Sequence, residues 1–79
     1  MKAQITVTLK KGVLDPQGEA IGQSLKNQGF TSLETIRQGR FFEVELSESD
    51  KAQAQKTVDA MCQKMLANQI IETYRYEIS

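Results

Sequence analysis

Between Ala3 and Leu9 the apolar residues Ala3, Ile5, Val7 and Leu9 alternate with Gln4, Thr6 and Thr8, the period of a strand buried on one face only. Such a strand needs neighbours in a sheet and a second layer over its apolar face. With 79 residues there is room for one small hydrophobic core, so residues 1–79 are expected to form a single domain.

The rest of the chain supplies those parts in a readable order. Lys10-Lys11-Gly12 ends the strand, and Asp15-Pro16 places a capping side chain before a proline suited to the first helical position. Ile21 and Leu25, with Ala20 and Ser24 beside them, give that helix an apolar face, and Gly29 closes it. From Phe30 to Leu46 the pattern returns to strands. Gly39 between Leu33–Gln38 and Arg40–Leu46 reads as the turn of a hairpin, whose second arm sets Phe42, Val44 and Leu46 on one face and Phe41, Glu43 and Glu45 on the other. Ser47 with Asp50 resembles a capping pair, so a second helix is expected from about Ser49. Ala54, Val58, Met61, Cys62, Met65 and Leu66 form its apolar stripe, Asn68 ends it, and Ile70–Ile78 reads as a last strand.

The order βαββαβ, with right-handed crossovers, predicts an α+β, ferredoxin-like two-layer sandwich: a four-stranded antiparallel sheet with two helices on one face. Its open face carries Gln4, Thr6, Thr8, Glu43 and Glu45 with Phe41 among them. A domain of this size buries only about 60% of its unfolded surface, so an oligomer is expected.

Several classes of function are excluded. Ten Lys plus Arg balance ten Asp plus Glu, which removes the cationic excess that nucleic acid or an anionic membrane requires. No apolar run approaches the roughly 20 residues of a spanning helix. Met1–Thr6 alternates from the start rather than offering a signal core, so a cytoplasmic location is expected. With one cysteine, Cys62, and no histidine, zinc sites, internal disulfides and His-activated nucleophiles are all impossible. No catalytic or metal-binding residue is expected.

The most unusual stretch is Gly12-Val13-Leu14-Asp15-Pro16-Gln17-Gly18, two apolar residues, a cap and two glycines in one connection. Locally, Gly12 supplies an unusual dihedral, Val13 and Leu14 plug the sheet end, and Asp15 caps the helix. Gly18 is less easily explained, because glycine in a first turn costs about 1 kcal/mol relative to Ala. A partner approaching the backbone would account for it. The loop matches neither phosphate-binding glycine pattern, and an acylphosphatase-like site would need an arginine where only lysines stand, at the loop entry. Gln38-Gly39-Arg40-Phe41-Phe42 resembles an RNA-recognition strand, but only Phe41 faces outward, and Glu43 and Glu45 beside it repel phosphate. Met61, Cys62 and Met65 are core filler rather than soft-metal ligands, and Tyr74 and Tyr76 share a face toward the helices, with hydroxyls at the sheet rim.

Taken together, Val7-Thr8-Leu9-Lys10, the loop Gly12–Gly18, Leu25 through Gly29-Phe30, Arg37-Gln38-Gly39-Arg40-Phe41-Phe42-Glu43, Met61–Asn68 and Ile71-Glu72-Thr73-Tyr74 resemble the PurS subunit family of phosphoribosylformylglycinamidine synthase, from de novo purine biosynthesis. The resemblance spans the chain; Gln69 departs from it, since the family usually has proline there. It implies a ferredoxin-like subunit that forms a homodimer or higher oligomer and bridges a synthetase subunit, PurL, and a glutaminase subunit, PurQ. The chemistry, that of an ATP-dependent C–N ligase (EC 6.3.5.3), would belong to those subunits. They use ATP, Mg and glutamine, while this chain binds no cofactor. Its contribution would be assembly and support of ammonia transfer to formylglycinamide ribonucleotide, with Gly12, Val13, Leu14, Asp15, Pro16, Gln17, Gly18, Arg40 and Phe41 as partner contacts. An ACT-type module that senses a small ligand shares the βαββαβ order, and composition does not separate the two.

Overall fold

A computed structural model describes residues 1–79. Strand β1 (Lys2–Leu9) lies between β2 (Gly39–Glu45) and β3 (Glu72–Ile78), antiparallel to both. The register sets Ala3 between Val44 and Ile78, Ile5 between Phe42 and Tyr76, and Val7 between Arg40 and Tyr74. The alternation of β1 therefore falls on the face that is covered, and Ala3, Ile5 and Val7 are fully enclosed.

The cover is α2 (Lys51–Met61). Positions 54 and 58, and Cys62 just past its end, recur every fourth residue; all three are buried, and Val58 and Cys62 join Ala3, Ile5 and Val7 in the core. Burial pushes the Cys62 thiol up, away from reactive thiolate. The cap is Asp50, whose carboxylate accepts the Ala52 N–H, rather than Ser47. After Met61 the helix widens into a π-helical turn, Cys62–Leu66, closed by the Ala67 N–H donating to the Cys62 carbonyl at 3.0 Å. The extra residue in the turn carries the buried stripe from Cys62 to Ala67, with Leu66 half-buried beside it, and leaves Met65 86% exposed instead of in the core. Tyr74 and Tyr76 face α2 as expected, but their hydroxyls reach past the rim and donate to the two oxygens of Asp59, at 3.1 and 3.2 Å.

The first helix behaves differently. α1 (Pro16–Asn27) begins at the expected cap, Asp15, with proline in its first turn. Its buried residues, however, are Gly18 and Gly22, while Ala20 and Ile21 face outward. The glycines form a flat face on which Leu33 and Ile36 lie: a Cβ on Gly18 would stand 2.7 Å from the Ile36 carbonyl oxygen, and one on Gly22 would stand 3.0 Å from Ile36 Cγ2. α1 shares no extensive contact with the sheet or with α2, and none of its residues joins the core.

Two expectations are corrected here. The sheet has three strands, not four, because residues 33–36 pack on the glycine face of α1 instead of pairing with β2. Only α2 covers the sheet; α1 and residues 28–38 form an arm that projects from one end. Gly39 is accordingly the first residue of β2, opposite Thr8, rather than a hairpin turn. The radius of gyration is 15.9 Å, against about 12 Å for a compact chain of this length, and the extents are 49 × 25 × 14 Å.

Candidate partner-contact site

The loop singled out in the sequence lies where the arm leaves the sheet. Leu9, Gly39 and Glu72 mark this end of the three strands. Lys10 ties the loop to the connection before β3: its backbone N–H donates to the Ile71 carbonyl and its Nζ to the Gln69 carbonyl, both at 2.8 Å. Gly12 supports the turn with φ of +86°. Val13 is half-buried, its N–H bonded to the Lys10 carbonyl, while Leu14 is 67% exposed. The two residues expected to plug the sheet end thus divide: Val13 turns inward and Leu14 outward.

Asp15 is the best-connected residue of the loop. One carboxylate oxygen accepts the Gly18 N–H and the other accepts the Gln38 N–H, each at 2.9 Å. These two N–H groups, Gln38 first, hold the Asp15 carboxyl below the usual carboxylate range. Gln17 and Gln38 pair through their side chains at 2.9 Å, and Arg37 donates to the Leu9 and Lys10 carbonyls. The close approach that Gly18 permits is therefore made within the chain, by Ile36 and Asp15. No docked partner is needed to explain that glycine.

Arg40 and Phe41, the remaining candidates, point to opposite faces of β2. Arg40 is engaged on the helix side: it pairs with Glu72 at 2.7 Å and stands 5.7 Å from the centre of the Phe42 ring. The Asn68 N–H, and then Arg40, keep the Glu72 carboxyl below its ordinary range. Phe41, 58% exposed, lies on the open face opposite Thr6, in a shallow depression that also includes Arg75 and Glu77. So the loop and Arg40 share one end of the sheet, lining a cavity of about 180 Å³ with Asp15, Gln17, Gln38 and Glu72, and Phe41 stands apart from them.

Carboxylates, guanidinium and amides are paired with one another, and no group of three His, Cys, Asp or Glu residues is placed to hold a metal ion. Sequence reasoning missed Ile36, Arg37 and Gln38 as part of this junction, and the exposed Met65 and Ile70 beyond it. The signal for the first was the pair Gly18 and Gly22, four residues apart and hence on one helix face, which marks a close backbone approach.

Residues 2–79 match the family described as PurS, phosphoribosylformylglycinamidine (FGAM) synthase. The phosphoribosylformylglycinamidine synthase subunit PurS of Bacillus subtilis is 39% identical over 77 residues, 98% of this chain and 90% of that protein. A crystal form of B. subtilis PurS superposes with a TM-score of 0.89 at 38% identity, covering 99% of this chain and 96% of the other. A chain in the structure of PurLQS from Thermotoga maritima gives 0.89 at 28% identity over 96% and 93%. The overall fold is thus shared with solved PurS chains, and with the sequence match spanning residues 2–79, the protein belongs to the PurS family of FGAM synthase subunits.

Proposed function

We propose that this chain is the non-catalytic assembly subunit of the FGAM synthase complex, acting as one PurS-like domain that bridges a PurL synthetase and a PurQ glutaminase and supports ammonia transfer from glutamine to formylglycinamide ribonucleotide. The ATP, Mg and glutamine of that reaction are used by the partner subunits, in the cytoplasm. No helix of this chain is long and apolar enough to cross a membrane.

The observation that carries the reading is the division of the chain's apolar surface. Only nine of 79 residues are buried, while Leu14 in the loop, Ile21 and Phe30 on the arm, Met65 and Ile70 before β3, and Phe41 on the open sheet face stand exposed. Scattered singly such residues would need no explanation; the concentration of Leu14, Ile21 and Phe30 on a projecting arm and its base supports a contact surface there. Gly12, Val13, Leu14, Asp15, Pro16, Gln17 and Gly18, with Arg40 and Phe41, are its proposed partner contacts. A homodimer or higher oligomer fits the same facts, since α1 has no layer over its outer side and β2 has no neighbour along its outer edge.

Reconstitution tests the proposal. Synthesis by PurL and PurQ should depend on this chain when glutamine is the nitrogen source and should be independent of it when ammonia is supplied. Glutamine-dependent synthesis at full rate without the chain would defeat the bridging role, and a small molecule retained by the pure chain would favour the ligand-sensing reading instead.

A further inference from the structure

The arm joins the sheet through two crossings of the chain, the exit after β1 and the return into β2. Neither crossing is stiff by itself: the exit contains Gly12 at positive φ with open space around it, and the return, residues 31–38, has no regular structure. Side chains connect them, and Asp15 is the one that bonds both the start of α1 and the return. Asp15 lies on the exit, and its second oxygen accepts the N–H of Gln38, the last residue of the return, 23 positions further along. Around that bond Arg37 donates to the carbonyls of Leu9 and Lys10, and Gln38 pairs with Gln17. Gly18 leaves the room required, because a Cβ there would stand 2.8 Å from the same Asp15 oxygen.

We propose that Asp15 is a positioning residue: one carboxylate oxygen caps α1, the other holds the return crossing, and the pair of bonds fixes the angle between arm and sheet. A cap alone does not need a carboxylate, since Asn and Ser serve equally well at that position. The distinguishing property of aspartate is a second acceptor carrying charge, and hydrogen bonds to an ionised acceptor are about twice as strong as neutral ones. The consequence for assembly, that the arm is presented to the partner subunits at a set angle, rests on the function proposed above.

Asp15→Asn and Asp15→Ser separate the two roles. Each retains a capping oxygen for the Gly18 N–H and loses the second acceptor, because an amide NH2 cannot accept and a hydroxyl offers only one oxygen in reach. In the full-length chain, NMR of both variants should show α1 chemical shifts unchanged and exchange of the Gln38 amide faster by about tenfold or more. Residual dipolar couplings of α1 and of the sheet, which fit one alignment in the wild type, should no longer do so. Wild-type Gln38 exchange and couplings in both variants would overturn the proposal. Loss of α1 in both, matching Asp15→Ala, would also overturn it, by reducing the carboxylate to a cap. Reconstituted synthesis then separates the two claims: a freed arm together with an unchanged requirement for this chain in glutamine-dependent turnover leaves the joint standing and removes its role in assembly.

Discussion

The two helices of this chain are nearly equal in length, twelve residues against eleven, and each starts at an aspartate cap, yet they are held by opposite means. α2 and the turn that follows it bury Ala54, Val58 and Cys62 on the side of the sheet where Ala3, Ile5 and Val7 of the central strand are fully enclosed. α1 presents two glycines to a single irregular stretch of chain and is anchored at its base by polar groups. Hydrophobic burial is non-directional and grows with area, so it secures α2 without fixing every contact. The arm has little area to bury and depends on the direction of a few hydrogen bonds.

The largest effects that test this contrast come from truncating one apolar residue in each region. Ile5→Ala leaves a cavity at a fully buried position and should cost about 2–5 kcal/mol, a large part of the total stability of a domain this size. Ile21→Ala, at a position 40% exposed, should cost under about 1 kcal/mol. Urea midpoints of the two variants measure the difference. Equal losses would mean that α1 is packed as firmly as the core of the sheet. A loss at Ile21 that grows with protein concentration would locate the missing cover for α1 on a second copy.

pH should loosen the two regions from opposite ends. Burial, then the bond to Asp59, raises the Tyr76 hydroxyl above its ordinary range; burial is likewise the main cause for Tyr74. A raised folded value means that the contribution of the two tyrosine–Asp59 bonds is complete below the unfolded tyrosine range near 10 and fades as pH rises through the folded value. Asp15 has the reverse sign: its contribution is complete above the unfolded carboxylate range, about 4, and fades as pH falls through its lowered folded value. Amide exchange or chemical shifts across the range should therefore show α2 and β3 responding first in alkali, and Gln38 and the start of α1 responding first in acid. A single transition spanning both regions at either end would mean that arm and sheet form one cooperative unit.

The same division explains what could be read from the sequence. β1, β2, β3 and α2 announce themselves through periods of two and of three to four, because each has a side-chain face to bury. The Asp15 cap was legible because its partner, Gly18, is three residues away. The bond from the same carboxylate to Gln38 was not, since nothing in the residues between these two positions, 23 apart, records it. Leu33–Gln38 carries an irregular apolar pattern that reads as a strand, and the glycine face that captures Leu33 and Ile36 lies in a different element. Met65 has the spacing of a core residue, and only the π-helical turn turns it away.

The smallest effect on folding should come from the residue with the most to say about contact. Val13 and Leu14 are neighbours in sequence, but Val13 is half-buried and Leu14 is 67% exposed, so the same charged substitution tests different things at each. Val13→Glu moves a carboxylate against the sheet end and should lower stability by about 1–3 kcal/mol through burial of a group with no partner. Leu14→Glu projects into solvent and should change the urea midpoint by no more than about 0.5 kcal/mol equivalent. If the loop is a contact surface, Leu14→Glu nevertheless raises the amount of chain needed to support glutamine-dependent synthesis, because a carboxylate then replaces an apolar side chain in the interface. Ammonia-dependent synthesis by the large subunit should not change. A Leu14→Glu chain that folds and supports synthesis like the wild type would remove Leu14 from the contact surface, and with it the functional reading of the loop's apolar tip; a variant that unfolds would mean that Leu14 belongs to the packing of the sheet end despite its exposure.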